Sequence, residues 1–135
     1  MAKPVLELDG ARIDSLQGFF EEVSRSLIPG ASWGRNLDAF NDILRGGFGT
    51  PEGGFVLRWR GAERSRRALG HEETARWLER GMSESSADHV AESRRRLLEA
   101  QQGQGETLFD TLVEIIRAHG ANGPEAGDGV ELELA

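Results

Sequence analysis

The chain has 135 residues, a formal net charge of −7 at pH 7 and no cysteine. This length suits one domain that buries an adequate core without disulfides or metals. The lack of cysteine excludes thiolate metal sites, and the acidic balance disfavours a protein that grips phosphate backbones. No stretch is typical of a signal peptide or a membrane span, so we expect a cytoplasmic protein that binds neither membrane nor nucleic acid.

The first half of the sequence predicts two strands that enclose two helices. Asp14 or Ser15 caps the first helix, which stops before Pro29, and Asn36 caps the second. Alternating apolar residues mark both strands, and apolar residues at 3.6-residue spacing mark both helices. The predicted elements are a strand at 5–10, a helix at 16–27, a helix at 36–45 that ends at Gly46-Gly47, and a strand at 55–60.

The second half predicts three helices and a last strand. The first two helices have thin apolar faces, so we expect them to pack loosely at the periphery, whereas the third has a continuous apolar stripe. Strands separated by helices favour parallel pairing, which predicts a small α/β domain. The elements are helices at 72–82 and 86–101 around the Ser-rich "SESS", a helix at 107–119 and a strand at 130–134.

Three patterns could carry chemistry, and each has a simpler explanation. The Gly-rich stretch 46–54 precedes a strand and lacks the Gly-Lys-Ser/Thr of a phosphate loop. The basic stretch 58–67 could contact nucleic acid, but strand alternation would send Trp59 and its flanking arginines to opposite faces. The histidines show no metal-ligand or triad spacing, and a cation in the last turn of a helix simply complements the helix dipole. They are His71, His89 and His119.

The stretch "SWGRNLDAFNDIL" at 32–44 is the most informative part of the sequence. Asp38 and Asp42 lie one helical turn apart, where like charges repel by roughly 0.2–0.5 kcal/mol. A solvated helix face explains such a pair, and so does acid/base catalysis, although no His, Lys, Ser or Cys stands nearby. The third interpretation is an interface in which two outward carboxylates, next to Trp33 and Gly34, enter a cationic pocket of a partner.

The outward direction of these carboxylates follows from the helical stripe opposite them. Leu37, Phe40 and Leu44 recur at helical spacing and are predicted to face the core. The polar residues lie about 100° or more away on the helix. They are Asp38, Asn41, Asp42 and Arg45.

Three segments together resemble the barstar family, the bacterial intracellular inhibitors of barnase-type ribonucleases. They are "LDG.RI.S" at 8–15, "WGRNLDAFNDIL" at 33–44 and "FVLRWR" at 55–60, followed by an amphipathic helix and an acidic strand at the end. The resemblance covers 5–69 and 107–134 and implies a three-stranded parallel sheet flanked by helices. We expect a single domain over 1–135, with a helical insertion at about 70–106 that contributes little to the central core.

The resemblance also implies which residues bind a partner. Asp42 matches the dominant acid that enters the nuclease pocket, Asp38 matches the second acid, and Trp33 and Gly34 match the aromatic-Gly pair of the preceding loop. The implied complex is 1:1 with a basic extracellular or toxin ribonuclease, formed by a free monomer that is not an enzyme and needs no cofactor or metal. The predicted partner-binding residues are Trp33, Gly34, Asn36, Asp38, Asn41, Asp42, Arg45 and Gly46.

The sequence departs from the family pattern at several contact positions. Ser32 and Asn41 stand where the family often has aromatic residues, and Ile115 falls where it has an acid in the last helix, with Glu114 adjacent but turned away. These departures favour a target different from the prototype nuclease. They also leave open an acidic interaction module that binds a basic partner other than a nuclease through the same face.

Overall fold

The computed structural model describes residues 3–46, 48–82 and 87–135, and within them the chain forms three strands, six α-helices and two short 3-10 helices. The predicted "SESS" break and Gly47 lie outside the described residues, as do the side chains of Met82 and His89. The elements in chain order are β1 (Val5–Asp9), α1 (Leu16–Ser26), α2 (Leu37–Arg45), β2 (Phe55–Arg60), α3 (Ala62–Ala68), α4 (His71–Met82), α5 (Ala87–Gln101), α6 (Leu108–Ala118) and β3 (Val130–Leu134).

The strands form one parallel sheet in the order β1-β2-β3, which confirms the predicted α/β class and three-stranded parallel sheet. Side chains alternate across the central strand, as the period of two requires. Leu57 and Trp59 are fully buried, whereas Arg58 and Arg60 lie on the opposite face, where both approach Glu7 of β1. The prediction that Trp59 and its neighbouring arginines separate is therefore confirmed.

An aromatic cluster forms the centre of the core and joins three helices to the sheet. The ring of Phe19 in α1 lies 5.1 Å from that of Phe40 in α2 and 5.3 Å from that of Trp59 in β2. Phe109 in α6 lies 5.0 Å from Trp59 on the same cluster. The indole N–H of Trp59 donates to Ser65 Oγ at 2.9 Å, so the buried ring leaves no polar atom unsatisfied. Helices α1, α2 and α6 are thus fixed relative to each other.

Helix α3 is not predicted by the pattern of apolar residues in the sequence. The segment was interpreted only as part of a basic stretch, because arginines outnumber its apolar residues. Its inner face is short, with only Ala62 and Ser65 buried, and Gly61 precedes it without a side-chain cap. A seven-residue helix with so few apolar positions gives no periodic signal.

Helices α4 and α5 pack against each other, and α4 also binds the core through polar groups. Glu73, which is only 3% exposed, accepts a hydrogen bond from Leu16 N of α1 at 2.7 Å. Thr74 Oγ1 accepts from Leu108 N of α6 at 2.8 Å. The expected loose packing describes the exposed Leu98 of α5, but it is wrong for the first turn of α4 and for Leu78 and Leu97, which are buried. Every helix in the described ranges is too short or too polar to cross a membrane.

Candidate protein-binding site

Helix α2 begins and ends where its local sequence dictates. Asn36 Oδ1 accepts a hydrogen bond from Ala39 N at 2.7 Å, which confirms the predicted cap. Asp38 lies in the first turn, where a negative charge interacts favourably with the helix dipole. The helix stops at Gly46, whose φ of 104° is a conformation that favours glycine. These signals set a nine-residue helix between two defined ends.

One side of α2 is buried in the core. Phe40, Ile43 and Leu44 have at most 2% of their surface exposed, whereas Leu37, predicted to be core, is only partly buried. The inner stripe thus keeps Phe40 and Leu44 as predicted and includes Ile43 in place of Leu37. Isolated helices of this length are marginal in water, so packing of this side holds α2 in place.

The opposite side of α2 presents both carboxylates to solvent, as predicted. Asp38 is exposed and, among the described residues, makes no side-chain hydrogen bond or ion pair. The side chain of Asp42 is 56% exposed and forms one ion pair, with Arg45 Nη1 at 3.0 Å from Oδ1. A packed, capped helix therefore displays two acids one turn apart, with at least one oxygen of each directed to solvent.

Arg45 links α2 to the loop that precedes β3. Its Nε donates to Glu125 Oε1 at 2.8 Å, and its Nη2 lies 2.6 Å from the same oxygen. The hydrogen bond to Glu125, together with the charges of Glu125, Asp42 and Asp128, raises the pKa of Arg45 above its ordinary value. Arg45 thus bridges Asp42 of the candidate site and an acid 80 residues later in the chain.

Asn41, a predicted partner-binding residue, contacts a histidine inside the protein. Its Oδ1 lies 2.6 Å from Nε2 of His119, which is fully buried at the C-terminal end of α6. Nδ1 of His119 lies 2.7 Å from Asp128 Oδ2, and Glu125 Oε2 lies 3.3 Å from Nε2. His119 therefore does more than complement the helix dipole: it connects α2, α6 and the loop before β3.

Sequence reasoning missed this cluster because its members come from three separate segments. Glu125 and Asp128 lie in a Gly- and Pro-containing loop that has no period to mark their orientation. His119, Glu125 and Asp128 bring possible ligand atoms within 4.8 Å of one another, so they could hold a metal ion. Here Asn41 Oδ1 already accepts from His119, and Glu125 already accepts from Arg45, so the cluster serves to fix the loop.

Trp33, in the loop before α2, is fixed against α1, which the sequence did not predict. The indole N–H donates to Ser24 Oγ at 2.6 Å, and the ring packs edge-on against Phe20 at 5.5 Å. The sequence predicts a surface aromatic, whereas the structure shows a half-buried ring that anchors the loop to α1. Gly34 is exposed next to it, and Arg35 follows with a φ of 52°, an unusual conformation for a side-chain residue.

A groove of about 920 Å³ runs from the N-terminal end of α2 to α4. Asp38 and Arg35 line one side, and Trp77 and Arg76 line the other. Arg76 pairs with both Glu72 and the buried Glu73, so its charge is largely compensated within α4. Helix α4, which belongs to the segment predicted as an insertion, therefore lies across this groove from Asp38.

The last helix contributes no acid to this face. Ile115, which falls where the family has an acid, is partly buried against the core. Glu114 lies beside Glu106, whose pKa is raised by burial and by its hydrogen bond to Glu114. The depression that these two glutamates line includes residues of α3, α6 and β3, and none of the described α2 residues. Glu125 contacts Arg45 at the C-terminal end of α2, and the charge of Asp128 also acts on this arginine.

Comparison with known proteins identifies a family. A search of curated proteins gives no match. The profile of the family described as Barstar (barnase inhibitor) matches residues 3–101, more than half of the chain. The match extends through most of the segment 70–106, whose interpretation as an insertion stays a prediction. By this match, and in agreement with its parallel three-stranded sheet, the chain belongs to the barstar family of barnase inhibitors.

Proposed function

We propose that the protein inhibits a basic ribonuclease by placing the outer side of α2 against the enzyme's active site. The observation that carries this proposal is the pair of exposed carboxylates, Asp38 and Asp42, on a capped and packed helix. A ribonuclease active site binds phosphate through cations, so fixed anions at a similar spacing compete for the same pocket. Because α2 is already ordered, binding carries little ordering cost for the inhibitor.

The net charge of −7 supports the same function through the rate of encounter. An acidic protein attracts a basic partner over distances comparable to the Debye length, and this speeds association at low salt. Close charge pairs at the interface then slow dissociation. The acidic surface and the two carboxylates thus act at different stages of binding.

The proposed contact surface consists of α2 and the loop before it. Asp42 and Asp38 supply the charges, Gly34 allows close approach of the backbone, and the fixed Trp33 supports the loop. Asn36 and Asn41 hold the helix at its start and middle. The proposed partner-binding residues remain Trp33, Gly34, Asn36, Asp38, Asn41, Asp42, Arg45 and Gly46.

The remaining parts of the proposal follow from this mode of action. Residues 1–135 form a single domain that acts in the cytoplasm and is a monomer when free. The protein forms a 1:1 complex with the nuclease and requires no cofactor. It protects the producing cell from a secreted or toxin nuclease and is not an enzyme itself. Arg35, exposed beside Asp38, distinguishes this face from a purely acidic one and favours a target other than barnase itself.

An inhibition assay tests the proposed function. RNA hydrolysis is followed for a panel of purified barnase-type ribonucleases, barnase first, while the protein is added up to a large molar excess. The expected result is loss of activity of at least one enzyme at a 1:1 ratio. Unchanged activity of every panel member would contradict the proposal, and binding of a basic protein without nuclease activity would favour the interaction module instead.

A further inference from the structure

We propose that Arg45 competes inside the protein for Asp42, and that Glu125 retains Arg45 when the partner's cation takes its place. This inference rests on the proposed function and assigns two residues that tune its strength. Arg45 lies at the edge of the candidate face, yet its positive charge opposes the attraction of a basic partner. Its contacts explain how such a charge is tolerated at this position.

The guanidinium group of Arg45 lies closer to Glu125 than to Asp42. Nε donates to Glu125 Oε1 at 2.8 Å, and Nη2 lies 2.6 Å from the same oxygen, whereas Nη1 donates to Asp42 Oδ1 at 3.0 Å. The contacts to Glu125 are shorter, and the side chain of Glu125 is 33% exposed against 56% for Asp42, so Glu125 holds Arg45 more strongly. Arg45 can therefore release Asp42 and remain bound to Glu125.

Glu125 is held in place by the backbone and by the buried cluster. Its N–H donates to Ala118 O at the end of α6 at 2.9 Å, and its second carboxylate oxygen lies 3.3 Å from Nε2 of His119. His119 is fully buried and also contacts Asn41 of α2. Glu125 is thus a fixed acceptor next to α2, and it retains Arg45 without a rearrangement of the loop.

The proposal predicts opposite effects for the two residues. Arg45→Gln frees both oxygens of Asp42 and removes a repulsive charge, so partner binding is tighter by about 3–10-fold, mainly through faster association at low salt. Glu125→Gln leaves Asp42 as the acid that forms an ion pair with Arg45, so binding of the partner is weaker. In the Arg45→Gln background, Glu125→Gln has a smaller effect, because there is no arginine left to retain.

Rate measurements on four proteins test the proposal: wild type, each single variant and the double variant. The probe is catalytically inactive barnase, or the panel ribonuclease that the wild-type protein inhibits most strongly, and association and dissociation are measured by stopped flow at low and high salt. Glu125→Gln removes the same negative charge in both backgrounds, so the resulting loss of long-range attraction to the partner is the same. The difference between its two effects therefore reports the retention of Arg45 alone.

Arg95→Gln is the matched control for the change in net charge. Arg95 lies on α5, is similarly exposed and also pairs with an acid three residues away, Glu92. A faster association for Arg45→Gln than for Arg95→Gln, with unchanged thermal unfolding, is expected. Weaker binding or no change in Arg45→Gln, or equal effects of Glu125→Gln in both backgrounds, would overturn the inference while leaving the proposed function intact. No binding by the wild-type protein would overturn both.

Discussion

The outer side of α2 and the first turn of α4 use the same chemical group in opposite ways. Asp42 of α2 is 56% exposed and meets one arginine at the surface, whereas Glu73 of α4 is 3% exposed and accepts a hydrogen bond from Leu16 N. A carboxylate whose acceptor sites are filled inside the fold has little left for a partner. An exposed carboxylate on a fixed helix keeps its acceptor sites and its charge available.

This contrast separates stability from binding in two neighbouring parts of the molecule. Loss of a buried acceptor leaves an N–H group without a partner and costs the desolvation of that group. Loss of an exposed acid changes the folded protein little, because surface ion pairs contribute little. Substitutions in α2 and α4 should therefore affect different measurements.

Asp42→Ala should have the largest effect, and it should be on binding. Affinity for the target ribonuclease should fall by about 2–5 kcal/mol, a range typical of truncated charge pairs in interfaces and known from the barnase–barstar pair itself. Thermal unfolding should stay close to that of the wild type. Glu63→Ala is the control, since Glu63 is also an exposed acid paired with an arginine three residues away. Equal affinities of the two variants would remove Asp42 from the site.

Glu73→Ala should lower stability and leave binding unchanged. The variant loses a buried charge-assisted hydrogen bond to Leu16 N, so the free energy of unfolding should fall by about 1–3 kcal/mol in urea titrations. Glu72→Ala is a close control, because the exposed Glu72 pairs with the same Arg76. If both variants unfold at the same urea concentration, the polar attachment of α4 is not structural.

Thr74→Val should have a smaller effect on stability, about 1 kcal/mol, because it removes a neutral acceptor from Leu108 N and preserves the shape of the side chain. Thr111→Val provides the comparison on α6. Thr111 Oγ1 donates to Thr107 O, a carbonyl that already accepts Thr111 N, so no group is left unpaired. A similar loss in both variants would mean that Thr74 does not anchor α4.

Glu106→Gln should have the smallest effect, visible in the dependence of stability on pH. Burial and the hydrogen bond to Glu114 raise the pKa of Glu106, so the folded protein binds this proton more tightly than the unfolded chain. The wild type should lose stability relative to Glu106→Gln as pH rises from the ordinary glutamate value of about 4.3 through the raised pKa. Thermal unfolding across this pH range measures the difference.

Glu92→Gln should change the dependence of stability on pH in the opposite direction to Glu106→Gln. The hydrogen bond from Arg95 lowers the pKa of Glu92, so its ionised form is favoured in the folded protein. The stability that Glu92 contributes is present above its ordinary pKa and is lost as pH falls through the lowered one. Parallel pH profiles for the two variants would contradict both assignments.

Most of the fold could be predicted from the sequence because its helices and strands carry periodic apolar residues. The bounds of β2 and β3 match the predicted ones, and Asn36 caps α2 as expected. Helix α3 was missed because its inner face has only two buried residues. The attachment of α4 was missed because Glu73 and Thr74 are polar residues, and their burial depends on partners more than 30 residues away.

The candidate site was predictable only where a single helix carries it. The spacing of Asp38 and Asp42 on a helix with an apolar stripe was enough to predict that both face solvent. The cluster around His119 could not be predicted, because Asn41 and Glu125 reach it through contacts between distant segments. Arg45 was expected among the partner-binding residues, but its bond to Glu125 depends on the position of a loop without periodicity.

Chemical-shift mapping tests the central claim most directly. Amide shifts of the isotope-labelled protein are recorded with and without a catalytically inactive form of the ribonuclease that it inhibits. We predict that the largest changes fall on residues 33–46, with smaller ones at Glu125 and its loop, and that the complex saturates at a 1:1 ratio. Changes concentrated on α4 and α5, with 33–46 unperturbed, would show that the partner binds elsewhere and would contradict the proposed role of α2.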